Sequence, residues 1–419
     1  MNVAWIGPVL MLVALAAGGV PEVFEGAQWL RDPRMEGHAP VDIYHRESTP
    51  IPVPEGPQNI HTLLRREIVL ETAPESAFLA ITGDDYYHFY INGHPVVQGP
   101  EPGYPFAHPF YWLDVTEFLD AGANCLAAHV YYQGLINRVW NSGDNRSGFM
   151  LALEVRFAGG SQARFVTDDG WKYFPLEAFP TGRTIGYKTQ FAEDIDLRAI
   201  PRGWRECGFD DSAWQPPHSG FQDHVFVLQA TPPLQITRYE PKIVKKKSEG
   251  NYFYDFGSEI VGRTRIRVQG DEGHTVVVRH GEELSGPETV RFDMRANCVY
   301  EEHPVLSGGE DLIEFFDYRA FRYIEVLDAP SEPEVWVEVQ HHPFDPTRVS
   351  FASSLKPLEG IWSICQNGVQ MGSQGGFLDC PSREKGAYLG DALITARSHL
   401  WLTADPSLTR KTIIDFSHS

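Results

Sequence analysis

The chain has 419 residues, which at about 150 residues per domain corresponds to two or three domains and excludes a single small module. Its 35 lysine and arginine residues against 56 aspartate and glutamate residues give a net charge of -21. This balance argues against nucleic acid or an anionic membrane as a partner, because phosphate groups are bound by an excess of basic side chains. A hydrophobic content of 42% excludes a wholly disordered chain, and many aromatic, glycine and proline residues favour a strand-rich protein with many turns.

The N-terminus contains an almost unbroken apolar run from Ile6 to Ala17, followed by Gly18 and Gly19. Its length is typical of the hydrophobic region of a signal peptide and is short for a membrane span. No lysine or arginine precedes it, which is unusual for such a peptide. We expect residues 1–20 to be a signal peptide and the protein to be secreted or periplasmic; a cytoplasmic protein with a buried N-terminal segment is the alternative. No later run is apolar enough to predict a membrane span.

After an irregular, proline-rich leader over residues 21–60, residues 61–235 have the pattern of an antiparallel β-sandwich. The run Tyr86 to Ile91 ends at Asn92-Gly93, the two-residue pair most typical of a tight β-hairpin. Further short apolar runs are separated by clusters of Gly, Asn and Asp; they lie at residues 125–132, 149–155 and 163–166. Short strands at such spacing favour a sandwich.

Residues 236–345 form a second β block. From Arg263 to Val268 the chain alternates, with arginines on one side of the strand and Thr264, Ile266 and Val268 on the other. A glycine-rich turn at residues 270–273 leads to a returning strand at residues 276–278, and two more apolar runs follow before residue 340. We predict a second antiparallel sandwich.

Residues 346–419 are predicted to be helical. Ser353 and Ser354 are candidate caps for the first helix, a second follows from Leu389, and Asp405-Pro406 is typical of the start of a third. Three helices are too few to bury their own apolar faces, so they resemble the front edge of a larger helical domain. We therefore expect five apolar side chains to be short of contacts and to promote self-association: Trp362, Leu393, Leu400, Ile413 and Ile414.

Most familiar catalytic signatures are missing, including phosphate-binding glycine loops and metalloprotease motifs. The five cysteines have neither zinc-ligand nor disulfide-framework spacing, and no metal or cofactor is predicted. A dense polar cluster remains between the first two C-terminal helices, at Asp379, Arg383, Glu384, Tyr388 and Asp391. Pro381 disfavours a helix there, so the cluster should lie in a loop. From the residues alone, it is either a polyol-binding acid/base site or a solvated charged loop.

Four motifs in a fixed order resemble bacterial α-L-rhamnosidases of glycoside hydrolase family 78. The motifs are spread over much of the chain. In order, they are the segment from Trp204 to Trp214, Tyr254-Asp255-Phe256-Gly257, the segment from Phe321 to Val326, and Asp379-Cys380-Pro381-Ser382-Arg383-Glu384, which is followed by Gly390-Asp391. The resemblance implies two β-sandwiches followed by the first helices of an (α/α)6 barrel. It also implies inverting hydrolysis of terminal α-L-rhamnosides, with rhamnose-containing glycosides as partners.

Carried over by motif, the resemblance implies that Glu384 is the general acid. Asp379 and Asp391 match acids that bind the sugar or support the site, and Arg383 and Tyr388 lie beside them. The commoner motif has an additional Asp between the arginine and the glutamate, and a Trp near the position of Tyr388. An inverting enzyme also needs a second carboxylate. In the family this base lies on a later part of the barrel, so we expect a truncated chain without turnover.

Two other functions are compatible with the sequence. The chain could be a non-catalytic carbohydrate-binding protein whose sandwiches bind sugar through aromatic side chains, with a candidate patch at residues 140–145. A turn containing a buried Trp140 is the simpler interpretation of that patch. An acidic structural module without a ligand is the third interpretation. An acidic cleft containing Asp379 and Glu384 would favour the enzyme.

Overall fold

The computed structural model describes residues 21–43, 56–136 and 142–419. Over these residues the chain is mainly β, with antiparallel sheets followed by three helices. The predicted fold class is therefore confirmed. The predicted signal peptide at residues 1–20 lies outside the described residues.

The first domain has two large sheets that pack face to face. In chain order its strands are β1 (Leu30–Arg31), β2 (Ile60–Leu70), β3 (Ser76–Asp84), β4 (Tyr86–Ile91), β5 (His94–Gly99), β6 (His108–Asp114), β7 (Gly122–Tyr132), β8 (Gly148–Arg156), β9 (Gln162–Val166), β10 (Lys172–Leu176), β11 (Thr184–Ile185), β12 (Gln190–Phe191), β13 (His218–Ser219) and β14 (Phe226–Leu228). One sheet has the order β13-β1-β8-β3-β6-β14, with β9 beside β8, and the other has the order β10-β2-β7-β4-β5. Strand β14 pairs with β6 in parallel, whereas the other ladders of the two sheets are antiparallel.

Apolar side chains from both sheets meet between them. Leu79 and Leu153 of one sheet and Leu64 and Leu126 of the other are buried in a single cluster. The predicted hairpin is confirmed, because Asn92 and Gly93 join β4 to β5 with φ values of 52° and 78°. Both residues of such a turn need positive φ, which Asn and Gly adopt at low cost.

The second domain is built on one eight-stranded sheet. Its strands are β15 (Gln235–Tyr239), β16 (Ile243–Ser248), β17 (Asn251–Gly270), β18 (Val277–Gly281), β19 (Leu284–Gly286), β20 (Thr289–Val290), β21 (Glu301–Glu302), β22 (Gly309–Glu314), β23 (Arg319–Leu327) and β24 (Glu334–His341). The sheet order is β15-β24-β17-β23-β18-β21, with β16 and β22 also on β17. The 20-residue strand β17 pairs with β16 and β23 in its first part and with β24 and β22 in its second.

The arginine side of β17 faces protein over most of its length. The Arg263 Nη1 atom lies 2.8 Å from His88 Nε2, and Arg263 also donates to Gln98 of the first domain. Arg265 is buried and pairs with Glu338 at 2.8 Å, whereas Arg267 is 43% exposed. The predicted alternation is present, but its polar side is largely covered: Arg263 contacts the first domain and Arg265 pairs within the second.

The C-terminal helices are α1 (Lys356–Gly372), α2 (Leu389–Thr403) and α3 (Ser407–His418). The prediction that Ser353 or Ser354 caps α1 is wrong, because Leu355 is the cap residue and no side chain bonds the helix amides. Ser353 Oγ instead accepts from the Leu355 amide at 3.1 Å, one step before the helix. The predicted start of α3 is wrong by one residue, because Pro406 is the cap residue and not the first helical residue; Asp405, just before it, accepts from the Ser407 amide at 2.8 Å.

Apolar side chains remain on the outside of these helices. Leu393, Ile413 and Ile414 are exposed as predicted, whereas Trp362 and Leu400 are half-buried. No helix among the described residues has the length and apolar character needed to cross a bilayer.

Candidate functional site

The polar motif forms a closed loop between α1 and α2. The Asp379 amide donates to the Gly386 carbonyl and Asp379 Oδ1 accepts from the Gly386 amide, both at 2.9 Å. Inside this pair the Lys385 amide donates to the Cys380 carbonyl at 3.0 Å. The predicted loop is therefore confirmed, and it presents residues 381–384 at its tip.

Glu384 lies at the tip beside two of the predicted site residues. The Tyr388 hydroxyl donates to Glu384 Oε2 at 2.8 Å, and Arg383 Nε lies 3.9 Å from Oε1. The Glu384 side chain is 21% exposed, so its carboxyl group is held by protein on one side and open on the other. This arrangement allows proton exchange with a bound molecule.

The other two predicted acids lie at either end of the motif. Asp379 uses one oxygen to close the loop, and Asp391 is exposed in the first turn of α2. In the described part of the chain no hydrogen bond joins either carboxylate to Glu384. The structure therefore groups Glu384, Arg383 and Tyr388 closely, with Asp379 as a support of the loop and Asp391 at the solvent edge.

Lys385 anchors this loop to the second domain, a role that the sequence analysis missed. Its buried Nζ atom lies 3.2 Å from both Asp317 carboxylate oxygens and donates to the Tyr318 carbonyl at 2.9 Å. The same atom lies 3.6 Å from the centre of the Tyr318 ring. Burial lowers the pKa of Lys385 to about 8, against the opposing effect of Asp317. No local pattern signals a partner 68 residues away.

The first domain holds the loop from the other side. The short hairpin of β11 and β12 places the Tyr187 amide 3.1 Å and the Thr189 hydroxyl 3.4 Å from the Arg383 carbonyl, to which both donate. Gly186 has a φ of 62°, and a Cβ atom there would lie 2.2 Å from that carbonyl oxygen. Only glycine lets the hairpin approach the loop so closely.

Asp317, the partner of Lys385, is held in place by Glu193 of the first domain. Glu193 accepts from the amides of Phe316 and Asp317 at 2.6 and 2.9 Å, and it lies 3.3 Å from Arg319. Burial raises the pKa of Glu193 to about 6, although Arg319 and these amides oppose that effect. The Glu384 loop is thus supported by a chain of polar contacts that reaches into both β domains.

Two further predictions concern ligands. Among the described residues, the carboxyl groups of the motif do not converge as metal ligands would. Residues 140 and 141 of the candidate sugar patch at 140–145 lie outside the described residues. Its described members Ser142, Asp144 and Asn145 are buried, so this part offers no exposed platform.

The two β domains match one family of enzymes. The family model described as the alpha-L-rhamnosidase N-terminal domain matches residues 72–238. The model described as the bacterial alpha-L-rhamnosidase concanavalin-like domain matches residues 245–342. Together these models cover more than half of the chain, which therefore belongs to the bacterial α-L-rhamnosidase family.

Curated relatives agree with this assignment. An alpha-L-rhamnosidase of Streptomyces avermitilis is 26% identical over an alignment that covers 98% of this chain and 43% of the relative. An alpha-L-rhamnosidase of Formosa agariphila is 25% identical, covering 78% of this chain and 36% of the relative. The chain thus spans less than half the length of these relatives.

Solved structures show the same fold. The Streptomyces avermitilis α-L-rhamnosidase complexed with L-rhamnose superposes with a TM-score of 0.72 at 25% identity, over 87% of this chain and 36% of the other. A family 78 rhamnosidase from Bacillus sp. GL1 superposes with a TM-score of 0.77 at 13% identity, over 92% of this chain and 62% of the other.

Proposed function

We propose that this chain serves the hydrolysis of terminal α-L-rhamnosides, with Glu384 as the general acid. The observation that carries the proposal is the setting of Glu384, which is partly open, bonded to the Tyr388 hydroxyl and located on a loop anchored to both β domains. A general acid must deliver its proton to one oxygen atom in a defined position, so a fixed loop suits the role. The L-rhamnose bound by the Streptomyces relative supports the sugar class.

The neighbouring side chains would bind the sugar ring. Arg383 and Asp391 are accessible to solvent and offer a guanidinium group and a carboxylate for sugar hydroxyl groups. Asp379 has a second carboxylate oxygen beyond the one that accepts from Gly386. Hydroxyl groups both donate and accept, so such a mixed set suits a polyol.

The proposal places the general base in a part of the enzyme beyond the region that this chain matches. Inversion requires a second carboxylate roughly 6.5–9.5 Å from the acid, so that a water molecule fits between the base and the sugar. The chain covers 43% of the Streptomyces relative. We therefore expect the 419 residues alone to bind rhamnose without hydrolysing rhamnosides.

Binding is tested by titrating the purified chain with L-rhamnose and following saturation-transfer NMR. The wild-type chain should bind, and Asp379→Asn should weaken binding about tenfold, because a carboxylate accepts stronger hydrogen bonds than an amide. Glu359→Gln, on the exposed first turn of α1, is the matched control. Absence of L-rhamnose binding at millimolar concentration would contradict the proposed substrate class.

The role of Glu384 is tested in a full-length relative in which a glutamate aligns with Glu384, by changing that glutamate to glutamine. Turnover of a rhamnoside with a poor leaving group should fall by on the order of 10²–10⁴-fold, whereas an activated aryl rhamnoside should lose much less. Equal losses on both substrates would show that this glutamate positions the sugar and is not the acid. Measurable rhamnoside hydrolysis by the present chain would refute the proposed location of the base.

The apolar run at residues 6–17 supports the additional proposal that the protein is exported. N-terminal sequencing of protein from the medium or periplasm should then show cleavage after this run. An intact Met1 on the mature, cytoplasmic protein would refute export.

A further inference from the structure

Three potential metal ligands converge in the first domain, far from the Glu384 loop in sequence. Asp84 ends β3, His108 begins β6, and His224 lies two residues before β14. Each offers one ligand atom, and these atoms lie within 4.8 Å of one another. All three residues are buried, with 5 to 6% of their surface exposed.

The hydrogen bonds around the histidines leave ring nitrogens free. His108 Nε2 lies 3.0 Å from the Gly83 carbonyl oxygen. A carbonyl oxygen only accepts, so His108 carries its proton on Nε2 and keeps a lone pair on Nδ1. His224 Nε2 lies 2.9 Å from Asp84 Oδ2, while the buried His224 Nδ1 has no hydrogen-bond partner among the described residues. His108 is oriented in the way usual for a metal-binding histidine, with its second nitrogen bonded to a carbonyl oxygen. His224 Nε2 and Asp84 Oδ2 already lie side by side, so an ion would replace the proton between them.

Around the cluster of Asp84, His108 and His224 there are more acidic than basic side chains. Arg146 lies in this region, but its guanidinium group pairs with Asp144 at 3.0 Å and with Asp223 at 2.7 Å. Among the described residues, neither Asp84 nor the adjacent buried Asp85 forms an ion pair with a lysine or arginine. A buried carboxyl group without a paired charge is neutralised either by a proton or by a bound cation, and a cation would take the place of the proton here.

We propose that Asp84, His108 and His224 form a binding site for a divalent transition-metal ion of the zinc class. Two imidazole groups and one carboxylate suit zinc, whereas calcium and magnesium prefer sets of oxygen ligands. Zinc–ligand bonds of about 2.0–2.2 Å place tetrahedral ligand atoms about 3.3 Å apart, so small side-chain rotations would bring this set to the ion.

The ion would stabilise the edge of the first domain. Strand β14 has only three residues, and it pairs with β6 in parallel, with Phe226 opposite His108. The buried Trp29 ring packs against His224, with 4.9 Å between the ring centres. A ligand on β3, one on β6 and one beside β14 would join three strands through a single ion, and a water molecule would complete a four-coordinate site.

Zinc binding is tested on the purified chain after removal of metals with a chelator. Isothermal titration should show one Zn²⁺ per chain, and a thermal scan should show a higher Tm with Zn²⁺ than without. Asp84→Asn and His224→Asn should each weaken binding at least about 100-fold, since removing a ligand costs more than removing an outer partner. His94→Gln, at the exposed start of β5, is the matched control and should bind as the wild type does.

A second measurement needs no variant and is decisive if the substitutions impair folding. Co²⁺ added to the wild-type chain should give the intense visible absorption of a four-coordinate site, and Zn²⁺ should displace it. The proposal is overturned by the absence of this absorption, by Asp84 and His224 variants that bind Zn²⁺ as tightly as the wild type, or by preference for Ca²⁺ over Zn²⁺.

Discussion

Lys385 is a fully buried lysine whose charge is balanced by Asp317 across the boundary between the helical segment and the second domain. Burying an ammonium group is costly unless it is paired and hydrogen-bonded, and Lys385 has three close acceptor oxygens. A residue of the loop that carries Glu384 thus anchors that loop through the hydrogen bonds of its buried amino group.

Replacing Lys385 by methionine should destabilise the protein by about 3 kcal/mol at neutral pH, because Asp317 would lose its buried partner. Urea unfolding monitored by circular dichroism measures this change. Lys356→Met is the matched control, since Lys356 pairs with Glu359 on the surface and should matter little. Equal effects of the two substitutions would show that the buried pair does not anchor the loop.

The stabilising effect of Lys385 should also depend on pH. Its pKa is lowered from 10.5 to about 8 in the folded protein, so between these values the unfolded chain binds the proton more tightly than the folded chain. The free energy of unfolding of the wild type, relative to that of Lys385→Met, should therefore rise between about pH 8 and about pH 10.5. Below about pH 8 Lys385 is protonated in both the folded and the unfolded chain, so the difference should stay at its lower value. Unfolding curves of both proteins at several pH values measure the difference, and a constant difference would contradict the lowered pKa.

At the scale of elements, the hairpin of β11 and β12 and the Glu384 loop interlock through backbone atoms. The Tyr187 amide bonds the Arg383 carbonyl directly, and Gly186 leaves room for that carbonyl. A two-strand hairpin with little core of its own thus acts as a support for the site.

Gly186→Ala should lower the free energy of unfolding by more than backbone strain alone would. An L-residue at positive φ costs about 1–2 kcal/mol, and the clash with the Arg383 carbonyl should add about 1–3 kcal/mol. Gly203→Ala is the control, because Gly203 has a φ of 77° and nothing within 4 Å of its Cβ position. Unfolding free energies and amide hydrogen exchange at residues 383–388 measure the two effects. Unchanged exchange in Gly186→Ala would show that the hairpin does not hold the loop.

At the scale of the whole molecule, exposed apolar side chains are concentrated on the short helical segment, although the longer β domains also expose some. Ile364, Leu393 and Trp401 are 75%, 63% and 83% exposed. Exposed apolar surface of this kind is a site of association. The sequence analysis predicted such an exposed apolar surface, because three helices are too few to bury their own apolar faces.

The chain should therefore self-associate through its helices. Sedimentation velocity over a dilution series should show oligomers whose fraction rises with concentration, and Trp401→Glu should shift the protein towards monomers. Val69→Glu is the control, because Val69 is 71% exposed on β2, away from the helices. A wild-type protein that stays monomeric at high concentration would refute this prediction.

The local pattern of the sequence determined the elements. Period-two alternation, the Asn92-Gly93 pair and the spacing of apolar residues after Leu389 depend on neighbouring residues, so they predicted the strands, a hairpin and a helix. The polar motif from Asp379 to Asp391 was recognisable for the same reason, because its members lie within one loop and the next helical turn.

Only the tertiary structure decided what surrounds that motif. The partner of Lys385 is Asp317, the support of Arg383 comes from Tyr187, and Asp84 meets His224 from 140 residues away. Such pairs are set by sheet order and domain packing, which bring together residues with no regular spacing in the chain. The same packing buried Arg263 and Arg265, because an alternating strand shows that two faces differ but not what covers each of them.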